Sequence, residues 1–176
     1  MRCPALLFTM LLAMPCGLAA QGDVAARADY FGAVASFFGV PEGEIAILSD
    51  WDIVPDEIPV ALFLAQQAGI SPEALVALRS SGQNWATLAE RYRVTASTLH
   101  LPIRDEAATG TLGDLYDRYR ATSVGEWHTI RLTDADIVAL VGVRVIAQSL
   151  GLPVEDVLRR TTASSSFVEL FAQLKR

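Results

Sequence analysis

Three groups of residues carry side chains whose types and spacing could do chemistry. The densest is "YDRYR" with "EWHTIRL", which gathers Tyr116, Tyr119, Arg118, Arg120, Trp127 and His128 in one short span. Aromatic rings beside guanidinium groups suit a surface that grips a protein or a glycan, joining contact area to cation–π attraction and hydrogen bonding. These six are the candidate binding residues. A plainer account makes Tyr116 and Trp127 core residues and pairs the arginines with Asp114 and Asp117, since sequence alone does not separate exposed from buried aromatics.

The second group is the acidic run "SDWDIVPDEIP", with Asp50, Asp52, Asp56 and Glu57. It lacks the central glycine and distal glutamate of a calcium loop. Asp56 is therefore expected to cap a helix that Glu57 favours, with Asp50 and Asp52 solvated. The third group is His100 and His128, the two histidines of the chain. There is no His-Glu-x-x-His for zinc and no Gly-x-Ser-x-Gly elbow, and the single lysine, Lys175, has no Ser-x-x-Lys partner. No catalytic residue, metal or cofactor is assigned. The enzyme alternative is a hydrolase using the loop acids Asp105, Glu106 and Glu126, because paired carboxylates need only meet in space.

The elements that would hold these groups are helical. "VPDEIPVALFLAQQAG" tolerates Pro59 in its first turn and stops at Gly69. "SPEALVALRSSG" has Ser71 as cap, Pro72 at the favoured first position and Gly82 as stop. "NWATLAERY" places Trp85, Leu88 and Tyr92 on one core-facing stripe. Thr111 is read as the cap of "TLGDLYDRYRAT", and Thr133 or Asp134 as that of "TDADIVALVGVRVIAQSLG". The sole alternating run, "EWHTIRL", allows at most one short extended segment. Residues 101–113 and 121–131 are the least periodic and are read as connecting loops, which makes 101–131 a loop-rich insertion around one amphipathic helix bearing Leu112, Leu115, Tyr116 and Tyr119.

The first twenty residues run from Arg2 through an apolar stretch to Gly17, Ala19 and Ala20, the order of a secretory signal peptide. Cleavage is expected after Ala19 or Ala20, leaving residues 21–176 as one helical domain outside the cytoplasm, periplasmic or secreted. Cys16 follows Met14 and Pro15, not the small residues a lipoprotein signal needs, so lipidation is not expected. Cys3 is the other cysteine, so the mature chain would contain none. It would hold 13 basic and 20 acidic residues, a net charge of −7 that repels polyanions. The most apolar later run carries Arg144 near its middle and reads as a buried core helix, not a transmembrane anchor.

Three segments share one turn: "LAQQAGISPEAL", "LAERYRVTASTL" and "IAQSLGLPVEDV", with "VASFFGVPEGEI" as a weaker fourth. An aliphatic residue and Ala precede Gly (Arg93 in the second); an aliphatic residue, a cap and a returning aliphatic follow. The alanine admits a close helix, the glycine supplies a left-handed turn, and the aliphatic plugs the corner. Residues 64–94 also align without a gap to 146–176 at an offset of 82, with Ala65/Ala147, Gly69/Gly151 and Leu88/Leu170 identical and Trp85 opposite Phe167. This reads as a duplicated helix-turn-helix-like unit in an all-α fold, with Gly69, Gly82, Gly151, Trp85 and Phe167 structural.

The cadence also fits a DNA-binding helix-turn-helix. A reader of DNA, however, needs a recognition helix rich in cations and polar groups. The helices after these turns offer Arg79, His100 with Arg104, and Arg159 with Arg160, offset by Glu73, Glu155 and Asp156. Helix packing is the favoured reading, and no nucleic-acid partner is expected.

The phrases "LRSSGQNW", "LTDADIVALV" and "AQSLGLPVEDVL", with the Gly-aliphatic-cap turns, resemble a group of uncharacterised exported bacterial helical proteins. That resemblance implies location and fold and carries no activity. "LRRTTASSSF" departs from the first phrase, against two equivalent working surfaces. The function expected is a noncatalytic exported protein that binds a protein or cell-envelope partner.

Overall fold

The computed structural model describes residues 17–51, 53–104 and 109–176, with side chains described from residue 21 onward. The expected signal peptide falls largely outside them, as do both cysteines, Asp52, Asp105 and Glu106. The described residues are all-α and contain no strand. The helices are α1 (Gly17–Phe38), α2 (Glu42–Ser49), α3 (Ile58–Ala68), α4 (Pro72–Ser80), α5 (Trp85–Arg91), α6 (Ala96–Leu99), α7 (Gly113–Ala121), α8 (Asp134–Leu150), α9 (Val154–Thr161) and α10 (Phe167–Leu174). Three 3₁₀ turns join them at Pro55–Glu57, Gly110–Leu112 and Val124–Thr129. No helix among the described residues is long and apolar enough to cross a membrane.

α8 is the central element. It buries Ile137, Leu140, Val141, Val143, Val145 and Ile146 on more than one side, and packs against α1, α3, α9 and α10. It begins with a capping box, in which the Thr133 hydroxyl accepts from Asp136 N–H at 3.1 Å while Asp136 accepts from Thr133 N–H at 2.9 Å. Gly142 faces the ring of Phe167, and a Cβ there would lie 2.7 Å from ring carbons. The missing side chain lets α10 seat its aromatic against α8.

Four corners share one geometry. Gly39, Gly69, Arg93 and Gly151 have φ of 67°, 67°, 59° and 64°. The next N–H closes back onto an alanine carbonyl in each: Val40 to Ala35 (3.0 Å), Ile70 to Ala65 (3.2 Å), Val94 to Ala89 (2.8 Å) and Leu152 to Ala147 (2.9 Å). This is the closing bond of a Schellman turn, which satisfies carbonyls that a helix end leaves open. The returning aliphatics Ile45, Leu75, Leu99 and Val157 are all buried.

Segments α3–α4–α5 and α8–α9–α10 have matched caps: Asn84 accepts from Thr87 N–H at 2.8 Å, and Ser166 accepts from Glu169 N–H at 3.1 Å. A second tie crosses between them. Asp134, at the head of α8, accepts from Ala86 N–H in α5 at 2.9 Å. Asp56, just before α3, accepts from Phe167 N–H in α10 at 2.9 Å. Each segment's last helix is thus held by an acid at the head of the other's first.

Several expectations change. Asp56 does not cap its own helix, because its carboxylate is committed to α10. Thr111 caps nothing either; it lies in a 3₁₀ turn, and its N–H and hydroxyl both meet the hydroxyl of the buried Thr161. "EWHTIRL" is not extended: Val124–Thr129 is a 3₁₀ turn with a loop after it. In the 101–131 region the expected amphipathic helix is α7, with its Leu115, Tyr116 and Tyr119 face buried, and two 3₁₀ turns, one of them holding the buried Leu112, lie where loops were read.

Candidate functional site

The six predicted binding residues divide. Tyr116 and Tyr119 are buried, with their hydroxyls donating to Leu101 and Ala96 carbonyls at 2.7 and 2.8 Å. Burial holds both phenols protonated well above the usual tyrosine range, Tyr119 up to about 12. Trp127 is half-buried, and its indole N–H is shared between the carbonyls of Tyr119 and Thr122, both at 3.1 Å. Arg118 pairs with Asp136 at 2.9 Å and also reaches the Arg131 carbonyl. Arg120 pairs with Asp117. The Tyr116, Tyr119 and Arg118 part of the proposed surface is therefore structural. His128 and Arg120 are the two left exposed, and Arg120 is held by Asp117.

What sequence reasoning did not assemble is an aromatic box around His100. Its ring lies 4.3 Å from that of Trp127 and 4.8 Å from that of Tyr119. Burial, and then the nearby Arg144 guanidinium, hold its pKa below the ordinary histidine value. Arg144 itself donates to the Leu99 and His100 carbonyls at 2.9 and 3.1 Å and lies 5.1 Å over the Phe63 ring. It ties the end of α6 to the centre of α8, a structural use of a half-buried cation. This box is the wall against which the Val124–Thr129 turn packs on α6.

That packing makes a groove. Its sides are α5 with the Arg93 corner and residues 128–132, and its volume is about 670 Å³. Arg93, Arg131, His128, Asn84, Thr95 and Glu90 line it, above a floor that includes Ala86, Ala89 and Ala96. Arg93 and Arg131 are both exposed, and neither has a carboxylate within ion-pair distance among the described residues. By contrast Arg79, Arg118 and Arg120 are paired. The groove so presents two uncompensated guanidinium groups and an imidazole against the one carboxylate of Glu90.

Arg93 is the feature to explain. Where the other three corners use glycine, this one holds an arginine at φ 59°, the one non-glycine residue with positive φ among the described residues. An L side chain in that region costs about 1 kcal/mol. The left-handed backbone sets the direction in which the side chain leaves it, and Arg93 lines the groove. The signal was readable, because Arg93 stands at the glycine position of the repeated turn; Arg131 gave none.

Other candidates disperse. Asp50 is exposed, Asp56 holds α10, and Glu57 binds Arg79 through two bonds of 3.1 and 2.8 Å. No group of three potential metal ligands occurs among the described residues. Glu126 is exposed in its 3₁₀ turn, and its proposed partners Asp105 and Glu106 lie outside the described residues. The helix after the Arg93 corner, α6, has four residues and spans only about 6 Å. Its Ala96 and Leu99 are buried, which leaves Ser97 and Thr98 to face outward, too little to read base edges. No protein-family model matches the chain, and neither a curated protein nor a solved structure is similar to it.

Proposed function

We propose that this chain is an exported, noncatalytic helical protein that holds an anionic protein or cell-envelope partner in the groove of Arg93, Arg131 and His128. The observation that carries the reading is Arg93 in a left-handed corner where the equivalent turns have glycine. Positions held in strained conformations persist where the surroundings enforce them, and they cluster at sites of function. Two guanidinium groups without carboxylate partners among the described residues attract carboxylates or phosphates through charge-assisted hydrogen bonds.

Export is supported by the signal-like first twenty residues and by the way α1 packs. From residue 21, α1 buries no side chain fully before Tyr30, so cleavage after Ala19 or Ala20 leaves the described core intact. The resemblance to exported bacterial proteins points the same way. The mature chain would then lack cysteine and rely on packing alone. The matched corners and caps of α3–α4–α5 and α8–α9–α10 support descent from a duplicated unit.

Arg93→Gly separates a working residue from a tolerated one. Relief of the left-handed arginine is expected to raise stability by roughly 0.5–1 kcal/mol, read as a higher urea midpoint. The same change is expected to weaken binding of a hexaglutamate peptide about tenfold by calorimetric titration, as Arg131→Glu should too. A groove variant that binds the peptide as tightly as the unaltered chain would dismiss the reading. In parallel, the periplasmic fraction should yield a chain whose N-terminus is Ala20 or Gln21.

A further inference from the structure

The molecule is electrically divided. Residues 28–78 hold eight acidic residues and no lysine or arginine. Some of these acids are committed: Asp29 to Lys175, Asp56 to α10, and Glu57 to Arg79. Glu42, Glu44 and Asp50, on α2 and its C-terminal cap, have no cationic partner among the described residues. The same stretch exposes large apolar side chains, Ile47 at 53%, Trp51 at 42% and Val54 at 57%. Glu44, Ile47 and Trp51 follow the i, i+3, i+7 spacing of one helical stripe. The stripe runs past the helix end because Asp50 is still right-handed and Trp51 N–H bonds back to Leu48 at 3.2 Å.

An exposed tryptophan beside an isoleucine, flanked by unpaired carboxylates, has the composition of an interface anchor with a charged rim. Its electrostatic complement is on the same chain: the groove of Arg93 and Arg131, floored by alanines. We infer that the occupant of the groove is a second copy of this chain, which docks the α2 face of one molecule into the groove of the next. The inference rests on the groove reading above and names its partner. Because the two surfaces differ, the contact is head-to-tail, and it generates a ring or an open chain.

Sedimentation velocity over a range of concentrations tests this on the full-length mature chain. The unaltered protein is expected to show a sedimentation coefficient that rises with concentration, and to associate less at 0.5 M salt as screening shortens the reach of the rim charges. Trp51→Ala spoils only the donor face, and Arg93→Gly with Arg131→Glu only the groove. Both sites are exposed and Arg93→Gly relaxes the backbone, so both variants should keep the circular dichroism of the parent. Each alone is expected to associate about tenfold or more weakly than the parent. Mixed one to one, each supplies the face the other lacks, and the mixture should form dimers and nothing larger.

A parent chain that stays monomeric throughout would overturn the inference, as would a mixture that fails to dimerise. If that monomeric parent still binds hexaglutamate in an Arg93-dependent way, the groove reading survives and the second copy does not. Loss of both signals removes both.

Discussion

Arg93 and His100 flank the short helix α6, yet they obey opposite demands. Arg93 is exposed and conformationally strained; His100 is half-buried and electrostatically disfavoured as a cation. Its folded-state pKa lies below the ordinary 6.5, through burial first and Arg144 second. The unfolded chain therefore takes up a proton more readily than the folded one. Stability is full above about pH 6.5 and falls as pH drops from there through the lower folded value. His100→Gln should flatten this loss between pH 7.5 and 5.5, measured as the change in urea midpoint. Equal slopes for parent and variant would mean that the ring titrates as a solvated histidine. Asp56 has the opposite sign. Burial raises its pKa above 3.8 despite the N–H groups of Phe167 and Val168, so its contribution is largest at low pH and shrinks as pH rises through the folded value. Asp56→Asn keeps an acceptor for α10 and discards the buried charge, so it should stabilise the chain at pH 7.

Among the elements, the corners separate two uses of glycine. Gly151 is left-handed with open space around its missing side chain, so Gly151→Ala carries only the conformational cost, about 1 kcal/mol. Gly142 has ordinary helical backbone but lies against Phe167, so Gly142→Ala should cost about 1–3 kcal/mol by overpacking unless α10 shifts. A Phe167→Leu change made with it should recover part of that loss, whereas the corner variant gains nothing. Chemical denaturation of the four variants distinguishes these cases. The corners were legible in the sequence because their code is local: alanine, glycine, aliphatic and cap within about seven residues of each other. The helical nature of 111–121 was legible from its apolar spacing, but its start was not. Thr111 has cap chemistry, and what displaced it was a hydroxyl contact with Thr161, fifty residues away.

At the scale of the whole molecule, the ties that sequence could not show are those of long separation. The Asp134 bond to Ala86 spans 48 residues and the Asp56 bond to Phe167 spans 111. An aspartate ahead of a helix looks the same whether it caps that helix or a distant one, so local reasoning placed Asp56 correctly at a helix N-terminus and chose the wrong helix. Tyr116 and Tyr119 could not be placed from sequence for a related reason: aromatic and arginine patterning is shared by cores and surfaces, and only the assembled fold buries these two while leaving His128 out. Asp134→Ala strips both the α5 acceptor and a partner of Arg79, so it should cost about 1 kcal/mol or more and loosen α5 first in hydrogen exchange. Each of the two segments supplies the acid that seats the other's last helix, so a break between them leaves each short of one tie. A chain severed once between them would behave less like two beads cut from a string than like an obligate pair, each fragment unfinished until it meets its complement.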